Sequence, residues 1–234
     1  MTSSDPDAIT ALAGLSREAL YAHAETYFRH AGGTEPNVAV IEHEGVRAVL
    51  KDYGAAPGWF GRWLGPLLIR REVQALECLA GLSGIPVLYR RVDARALLME
   101  YVPARPWSKM RPGADAFERL EALVAAMHDR GVAHCDLRSP SNILADDAGR
   151  PYLVDFVARI RRGAAWNLPW NALFAGFCRA DRNALAKLKV RYAPELASEA
   201  ERAQARHGPF DRAARRLGAG IRALTRLFVR RASR

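Results

Sequence analysis

An ordered series of local signals in the middle of the chain limits the possible folds more than any other feature. A helical repeat of apolar residues ends near Gly131, and a polar loop with Asp136 and Asn142 follows it. Two short apolar runs on either side of the turn-rich segment 146–151 then predict a β-hairpin that leads into Asp155. Because Asn142 and Asp155 lie at the outer ends of its two strands, we expect this hairpin to bring them close together.

Two carboxylates and a carboxamide at this spacing suit phosphoryl transfer from ATP. One Asp can orient or deprotonate an acceptor hydroxyl, while an Asn and a second Asp hold the magnesium ions that neutralise the triphosphate. The segment 134–144, with Val154-Asp155-Phe156 after it, resembles the protein-kinase pattern H-R-D-L-x-x-x-N followed by D-F-G. The resemblance implies that Asp136 is catalytic and that Asn142 and Asp155 bind Mg²⁺. Arg138 then either faces the transferred phosphate or is an ordinary surface residue.

The upstream half of the chain carries further candidates that the same resemblance implies. Residues 38–41 and 47–51 read as two strands, and Lys51 at the end of the second resembles the Lys of V-A-I-K, which holds nucleotide phosphates. A helix over residues 70–79 offers Glu72 as the partner of Lys51, with Glu77 as the alternative.

A strand over residues 96–99 runs into an extended segment that contains proline. It resembles the kinase hinge, where adenine stacks and bonds to backbone groups. Glu100 and Val102 are therefore candidate nucleotide contacts.

The glycine-rich loop and the catalytic loop depart from the common kinase pattern. G-x-G-x-x-G is absent, and only Gly32 and Gly33 lie at a suitable distance before Lys51, where they form either a phosphate cradle or an ordinary hairpin turn. The catalytic loop has one extra residue, which must bulge near Ser139-Pro140, and Val157 replaces the glycine of D-F-G. These departures resemble small bacterial and archaeal relatives of protein kinases, among them the RIO-like kinases and the lipopolysaccharide Kdo kinases.

The resemblance implies an α+β, two-lobed protein kinase-like fold. We expect an N-terminal tail and helix over residues 1–24, a small antiparallel-sheet N-lobe over 25–102 and a reduced helical C-lobe over 103–209. The three widely spaced cysteines form neither a disulfide framework nor a zinc pattern, which indicates a reducing compartment. No signal peptide is visible, and the apolar stretch 168–178 is too short to span a bilayer, so we expect a cytoplasmic protein.

The net charge of +10 is concentrated in the last 34 residues. Residues 201–234 contain ten Arg and two acids, and apolar residues recur there on one helical face: Phe210, Leu217, Ile221, Leu224 and Phe228. A basic amphipathic helix over residues 210–234 would either lie on the inner surface of an anionic membrane or pack on its own domain. No nucleic-acid-binding motif accompanies the arginines, which disfavours nucleic acid as a partner.

Together these features predict an ATP- and Mg²⁺-dependent phosphotransferase that acts on a hydroxyl. The acceptor is a sugar, a lipid or a protein, and a lipopolysaccharide sugar or glycolipid at the inner membrane surface suits the basic tail. One alternative is an atypical Ser/Thr protein kinase. The other is a pseudokinase that binds or scaffolds without turnover, which the degenerate glycine loop and Val157 favour and the intact polar set disfavours.

Overall fold

The computed structural model describes residues 6–32, 34–56 and 58–205, which form two compact units. One unit extends to Gly81 and includes Ile85–Pro103, and the other contains Leu82–Gly84 and the described chain from Ala104 onward. The first is built on an antiparallel sheet and the second is mainly helical, which confirms the predicted two-lobed α+β class. The amphipathic helix predicted over residues 210–234 lies outside the described residues.

Five antiparallel strands form the sheet of the first unit, in the order β1-β2-β3-β5-β4. They are β1 (Ala24–Arg29), β2 (Asn37–His43), β3 (Val46–Asp52), β4 (Leu88–Arg91) and β5 (Ala96–Glu100). The two predicted strands, β2 and β3, form a hairpin that turns at Glu44 and Gly45, whose φ angles of 50° and 76° suit a tight two-residue turn. Lys51 pairs with Val38 on one side and with Leu97 on the other, so it lies on the central strand.

Helices α1 (Pro6–Gly14), α2 (Arg17–Ala22) and α3 (Gly65–Cys78) complete the described part of this unit. The sequence predicted a loose tail and a single helix before residue 24. Two helices form there instead, because Leu12 and Leu20 are fully buried in a core that they share with the sheet residues Ile41 and Leu50. α3 begins earlier than predicted and follows a π-helical turn, Phe60–Leu64.

The α-helices of the described second unit are α4 (Ala114–Asp129), α5 (Leu168–Tyr192) and α6 (Glu199–Ala205). The apolar residues predicted to form one face of α4 are all buried: Phe117, Leu120, Leu123, Val124 and Met127. α4 ends at Asp129, and Gly131 follows with a left-handed φ of 75°, as expected for a glycine just beyond a helix end. None of the described helices is both long enough and apolar enough to cross a membrane.

Short strands surround the polar loop of the second unit. β6 (Arg105–Pro106), β8 (Ile143–Ala145) and β9 (Pro151–Leu153) form one sheet, and β7 (Val132–Ala133) pairs with β10 (Ile160–Arg161). β8 and β9 are the predicted hairpin. The carboxylate of Asp146 accepts hydrogen bonds from the amides of Ala148 and Arg150 at 3.0 and 2.9 Å, which fixes its turn.

Candidate active site

Lys51 and Glu72 form a buried ion pair in the first unit. Nζ of Lys51 lies 2.7 Å from Oε2 of Glu72, and the two side chains are only 6% and 1% exposed. Glu77, the alternative partner, is exposed on α3. The structure therefore pairs Lys51 with the glutamate that the sequence favoured, and a lysine held in this way presents its charge from a fixed position.

The candidate glycine turn joins β1 to β2 in the same unit. Gly32 forms an isolated bridge with Glu35, and Gly33 lies outside the described residues. The side-chain oxygen of Asn37 accepts a hydrogen bond from the amide of Ala31 at 2.5 Å. The start of the turn is therefore anchored to the first residue of β2.

The candidate hinge begins where β5 ends. The amide of Glu100 donates to the carbonyl of Val87 at 2.8 Å, and the carboxylate of Glu100 accepts from the amide of Val87 at 3.0 Å. Val102 follows outside regular secondary structure and is buried. These two hydrogen bonds between Glu100 and Val87 fix the point at which the hinge segment leaves the sheet.

Asp136 and Asn142 touch each other in the second unit. Nδ2 of Asn142 donates to Oδ2 of Asp136 and also to its backbone carbonyl, both at 3.1 Å. The amide of Ser139 donates to the carbonyl of Asp136 at 3.3 Å, and the amide of Asn142 donates to the carbonyl of Ser139 at 3.0 Å. These two successive turns accommodate the extra residue of the loop, near the predicted Ser139-Pro140.

Asn142 and Asp155 lie at the outer ends of the β8–β9 hairpin, as predicted. The amide of Val154 donates to the carbonyl of Asn142 at 3.0 Å just beyond the paired strands, and Asp155 follows this hydrogen bond directly. Asp155 has a left-handed backbone, with φ 66° and ψ 70°, a conformation that Asp adopts more readily than most residues. Val157 lies in the 3₁₀ turn that follows.

Burial raises the pKa of the Asp136 carboxyl above its ordinary value. His134 opposes this shift, the negative charge of Asp155 adds to it, and the hydrogen bond from Asn142 and the positive charge of Arg138 act against it. Arg138 itself is exposed, so it lies at the surface and still affects Asp136 electrostatically. The carboxylates of Asp136 and Asp155 are therefore near enough to repel each other.

A residue that the sequence analysis did not single out anchors this loop. Asp181 of α5 is buried, and its two oxygens accept hydrogen bonds from the amides of His134 at 2.8 Å and Cys135 at 2.9 Å. Nε2 of His128 lies 3.0 Å from the same carboxylate. Cys135 has a left-handed φ of 69°, which is uncommon outside glycine, and Asp181 holds it immediately before Asp136.

The ring of His134 connects the loop of Asp136 to the segment that carries Asp155. Its Nε2 lies 3.0 Å from the carbonyl of Val154, and the ring packs against Phe156 with the ring centroids 4.9 Å apart. His134 is fully buried. It therefore fixes the loop of Asp136 relative to the residues on either side of Asp155.

The donor groups of the second unit fit a magnesium ion. Asn142 directs its amide nitrogen at Asp136, so Oδ1 is its acceptor end, which accepts a long hydrogen bond of 3.4 Å from the hydroxyl of Ser141. Asp155 adds a carboxylate that is near enough to Asp136 to raise its pKa. No group of three or more His, Cys, Asp or Glu side chains in the described residues could hold a metal. Mg²⁺ needs no such cage, since it binds through one or two carboxylates and takes its other oxygens from phosphates and water.

No protein-family model and no curated protein matches the sequence, but solved structures match the fold. The Rio2 kinase from Chaetomium thermophilum aligns with a TM-score of 0.59 and 18% identity, over 88% of this chain and 67% of that chain. The ADP/Mg²⁺-phosphoaspartate complex of this kinase aligns with a TM-score of 0.57 and 18% identity, over 86% of this chain and 67% of that chain. WaaP in complex with acyl carrier protein aligns with a TM-score of 0.51 and 18% identity, over 92% of this chain and 91% of that chain.

At this identity the likeness concerns the fold. The two Rio2 structures are those of a kinase, one of them in complex with ADP and Mg²⁺. The resemblance to RIO-like and lipopolysaccharide kinases that the sequence predicted is therefore confirmed for the architecture. This chain has a protein kinase-like fold of the kind found in these atypical kinases.

Proposed function

We propose that this protein is an ATP- and Mg²⁺-dependent phosphotransferase that phosphorylates a hydroxyl group. The observation that carries the proposal is the contact between Asp136 and Asn142 beside Asp155, which assembles two carboxylates and an oriented carboxamide in one loop and hairpin. Phosphoryl transfer needs this set. A fold neighbour described as an ADP/Mg²⁺ complex supports the nucleotide and the metal.

Asp136 would orient the acceptor hydroxyl and accept its proton. The raised pKa of its carboxyl favours this role, because a general base works best when its pKa approaches the working pH. Arg138 would neutralise negative charge on the transferred phosphate from its exposed position two residues later.

The remaining candidates would bind the nucleotide and its cation. Asn142 and Asp155 would hold Mg²⁺, which neutralises phosphate charge when bound. Lys51, fixed by Glu72, would bind the α- and β-phosphates. The amides of Gly32 and Gly33 would contact phosphate, and backbone groups at Glu100 and Val102 would contact adenine.

We favour an acceptor hydroxyl on a lipopolysaccharide sugar or another envelope glycolipid, at the inner face of a bacterial cytoplasmic membrane. The resemblance of the sequence motifs to lipopolysaccharide kinases supports this class, as does the net charge of +10. The resemblance to RIO-like kinases supports an atypical Ser/Thr protein kinase as the alternative. A second alternative is a pseudokinase that binds without turnover, and Val157 in place of the D-F-G glycine supports it.

The proposal is tested by incubating the protein with γ-labelled ATP and Mg²⁺, with and without membranes from a Gram-negative bacterium. We expect label in the lipid fraction, and none with Asp155→Ala. The matched control is Asp129→Ala, an exposed aspartate at the end of α4, which should transfer label normally. Label in protein would indicate a protein kinase. Nucleotide binding without any label would indicate a pseudokinase.

A further inference from the structure

The start of α5 and the loop before it expose four large apolar side chains. Trp166 is 83% exposed, Leu168 is 71% exposed, and Trp170 and Leu173 are each 40% exposed. Single exposed apolar residues are common on protein surfaces, but several together usually indicate an interaction site. We call this group the 166–173 patch. None of its residues takes part in the proposed phosphotransfer.

Hydrogen bonds hold the backbone of the patch in place. The side chain of Asn167 caps α5 by accepting from the amide of Trp170 at 3.2 Å. The side chain of Asn171 accepts from the amide of Gly163 and donates to the carbonyl of Ala164, both at 2.9 Å. The apolar side chains are therefore presented to solvent by an ordered turn and helix start.

The segment that carries the patch is rich in basic residues. Residues 157–193 contain eight Lys and Arg and a single acid, Asp181, which is buried and bonded to the catalytic loop. Arg179 and Arg182 are exposed and lie eleven and fourteen residues after Leu168, which places them on the same face of α5. Arg161 is exposed in β10. Exposed Trp and Leu beside arginines are typical of elements that lie in a membrane interface.

We propose that Trp166 and Leu168 of the 166–173 patch enter the surface of an anionic lipid bilayer, while Arg161 and the two arginines on the Leu168 side of α5, Arg179 and Arg182, lie against its headgroups. The charge of the chain disfavours its own residues 206–234 as the occupant, because they contain nine Arg and one acid and would be repelled. Nucleic acid is a poorer fit, since aliphatic side chains such as Leu168 and Leu173 neither stack on bases nor bind phosphate. The proposal does not depend on phosphotransferase activity.

The test uses tryptophan fluorescence of the full-length protein with vesicles that contain brominated lipids, which quench tryptophans inside the bilayer. Residues 206–234 contain no tryptophan, so the tail cannot produce the signal. We expect quenching by phosphatidylcholine–phosphatidylglycerol vesicles, much less by phosphatidylcholine alone, and loss of the difference at about 0.5 M salt, where surface charges are screened. Trp166→Phe should remove a large part of the quenching. Trp63→Phe, a control at a tryptophan that is 72% exposed in the other unit, should not.

Affinity is tested with the double variant Trp166→Ser/Leu168→Ser in vesicle co-sedimentation. Removing two interfacial apolar groups should weaken binding by at least about tenfold, while Trp63→Ser should bind like the wild type and all variants should melt at similar temperatures. Absence of binding to anionic vesicles would overturn the proposal. Binding that is equally strong in the double variant would assign it to another surface. RNA that binds more tightly than vesicles and depends on Trp166 would assign the patch to nucleic acid.

Discussion

The carboxylate of Asp181 accepts a hydrogen bond from the backbone amide of His134 at 2.8 Å, across 47 positions of sequence. The same carboxylate accepts from the amide of Cys135, so α5 fixes the two residues that precede Asp136. The position of the proposed base therefore depends on a side chain that takes no direct part in the chemistry.

Asp181→Ala should destabilise the protein and slow phosphotransfer. One buried and one half-buried amide lose their acceptor, which should lower the free energy of unfolding by about 2–4 kcal/mol. Asp181→Asn keeps one acceptor oxygen and should lose less. Urea denaturation measures these differences, with exposed Asp129→Ala as the control. An unchanged midpoint in Asp181→Ala would show that the loop does not need this anchor.

The buried ion pair of Lys51 and Glu72 allows stability to be separated from nucleotide binding. Lys51→Met leaves the Glu72 charge buried without its cation, and should lower the free energy of unfolding by about 3–5 kcal/mol. Lys51→Met/Glu72→Leu removes that charge and should recover most of the loss. Calorimetric titration with Mg²⁺–ATP should show weak binding in both variants. Wild-type affinity in the double variant would make the pair purely structural.

Asp136 should make the stability of the fold depend on pH. Because burial raises its folded pKa above the unfolded value, its contribution favours folding below the unfolded pKa and is lost as the pH rises through the folded pKa. Asp136→Asn stays neutral and keeps an oxygen for Asn142. Its gain in stability over the wild type should therefore be larger at pH 7 than at pH 4, as measured by urea denaturation. A gain that shrinks with rising pH would contradict the assigned direction.

Gly84 should be sensitive to any side chain. A Cβ there would lie 2.7 Å from both Leu123 and the carbonyl of Pro151, whereas one at Gly81 would have open space. Both glycines have left-handed φ angles, of 92° and 76°. Gly81→Ala should therefore lose about 1–2 kcal/mol from backbone strain alone. Gly84→Ala should lose about 1–3 kcal/mol more from the close contacts, and equal thermal shifts would contradict this.

The elements around the proposed catalytic loop could be predicted because their signals are local. The apolar repeat of α4 and the two apolar runs beside the 146–150 turn need no knowledge of distant contacts. The pairing of Lys51 with Glu72 was favoured by the order of elements in a resembling family, and the side-chain geometry agrees with it.

Asp181 and the packing of the N-terminal helices depend on tertiary contacts, so the sequence indicated them poorly. Asp181 follows Phe174 and Cys178 on the buried stripe of α5 at spacings of four and three residues, and it is the only acid in residues 157–193. A single acid among the buried apolar residues of a helix was the available signal that Asp181 has a structural partner. For α1 and α2, Leu12 and Leu20 are too few to distinguish a packed helix from a loose one before the sheet is known.

Transfer of the γ-phosphate of ATP by the wild type and by Asp136→Asn, at saturating Mg²⁺–ATP, tests the central claim most directly. The variant retains Asn142, Asp155, Lys51 and Glu72, so it should bind Mg²⁺–ATP with nearly unchanged affinity. Its initial rate of transfer should fall by about 10²–10⁴-fold, because the acceptor hydroxyl loses its base. Wild-type turnover in Asp136→Asn, with nucleotide binding intact, would contradict the assignment of Asp136 and the mechanism built on it.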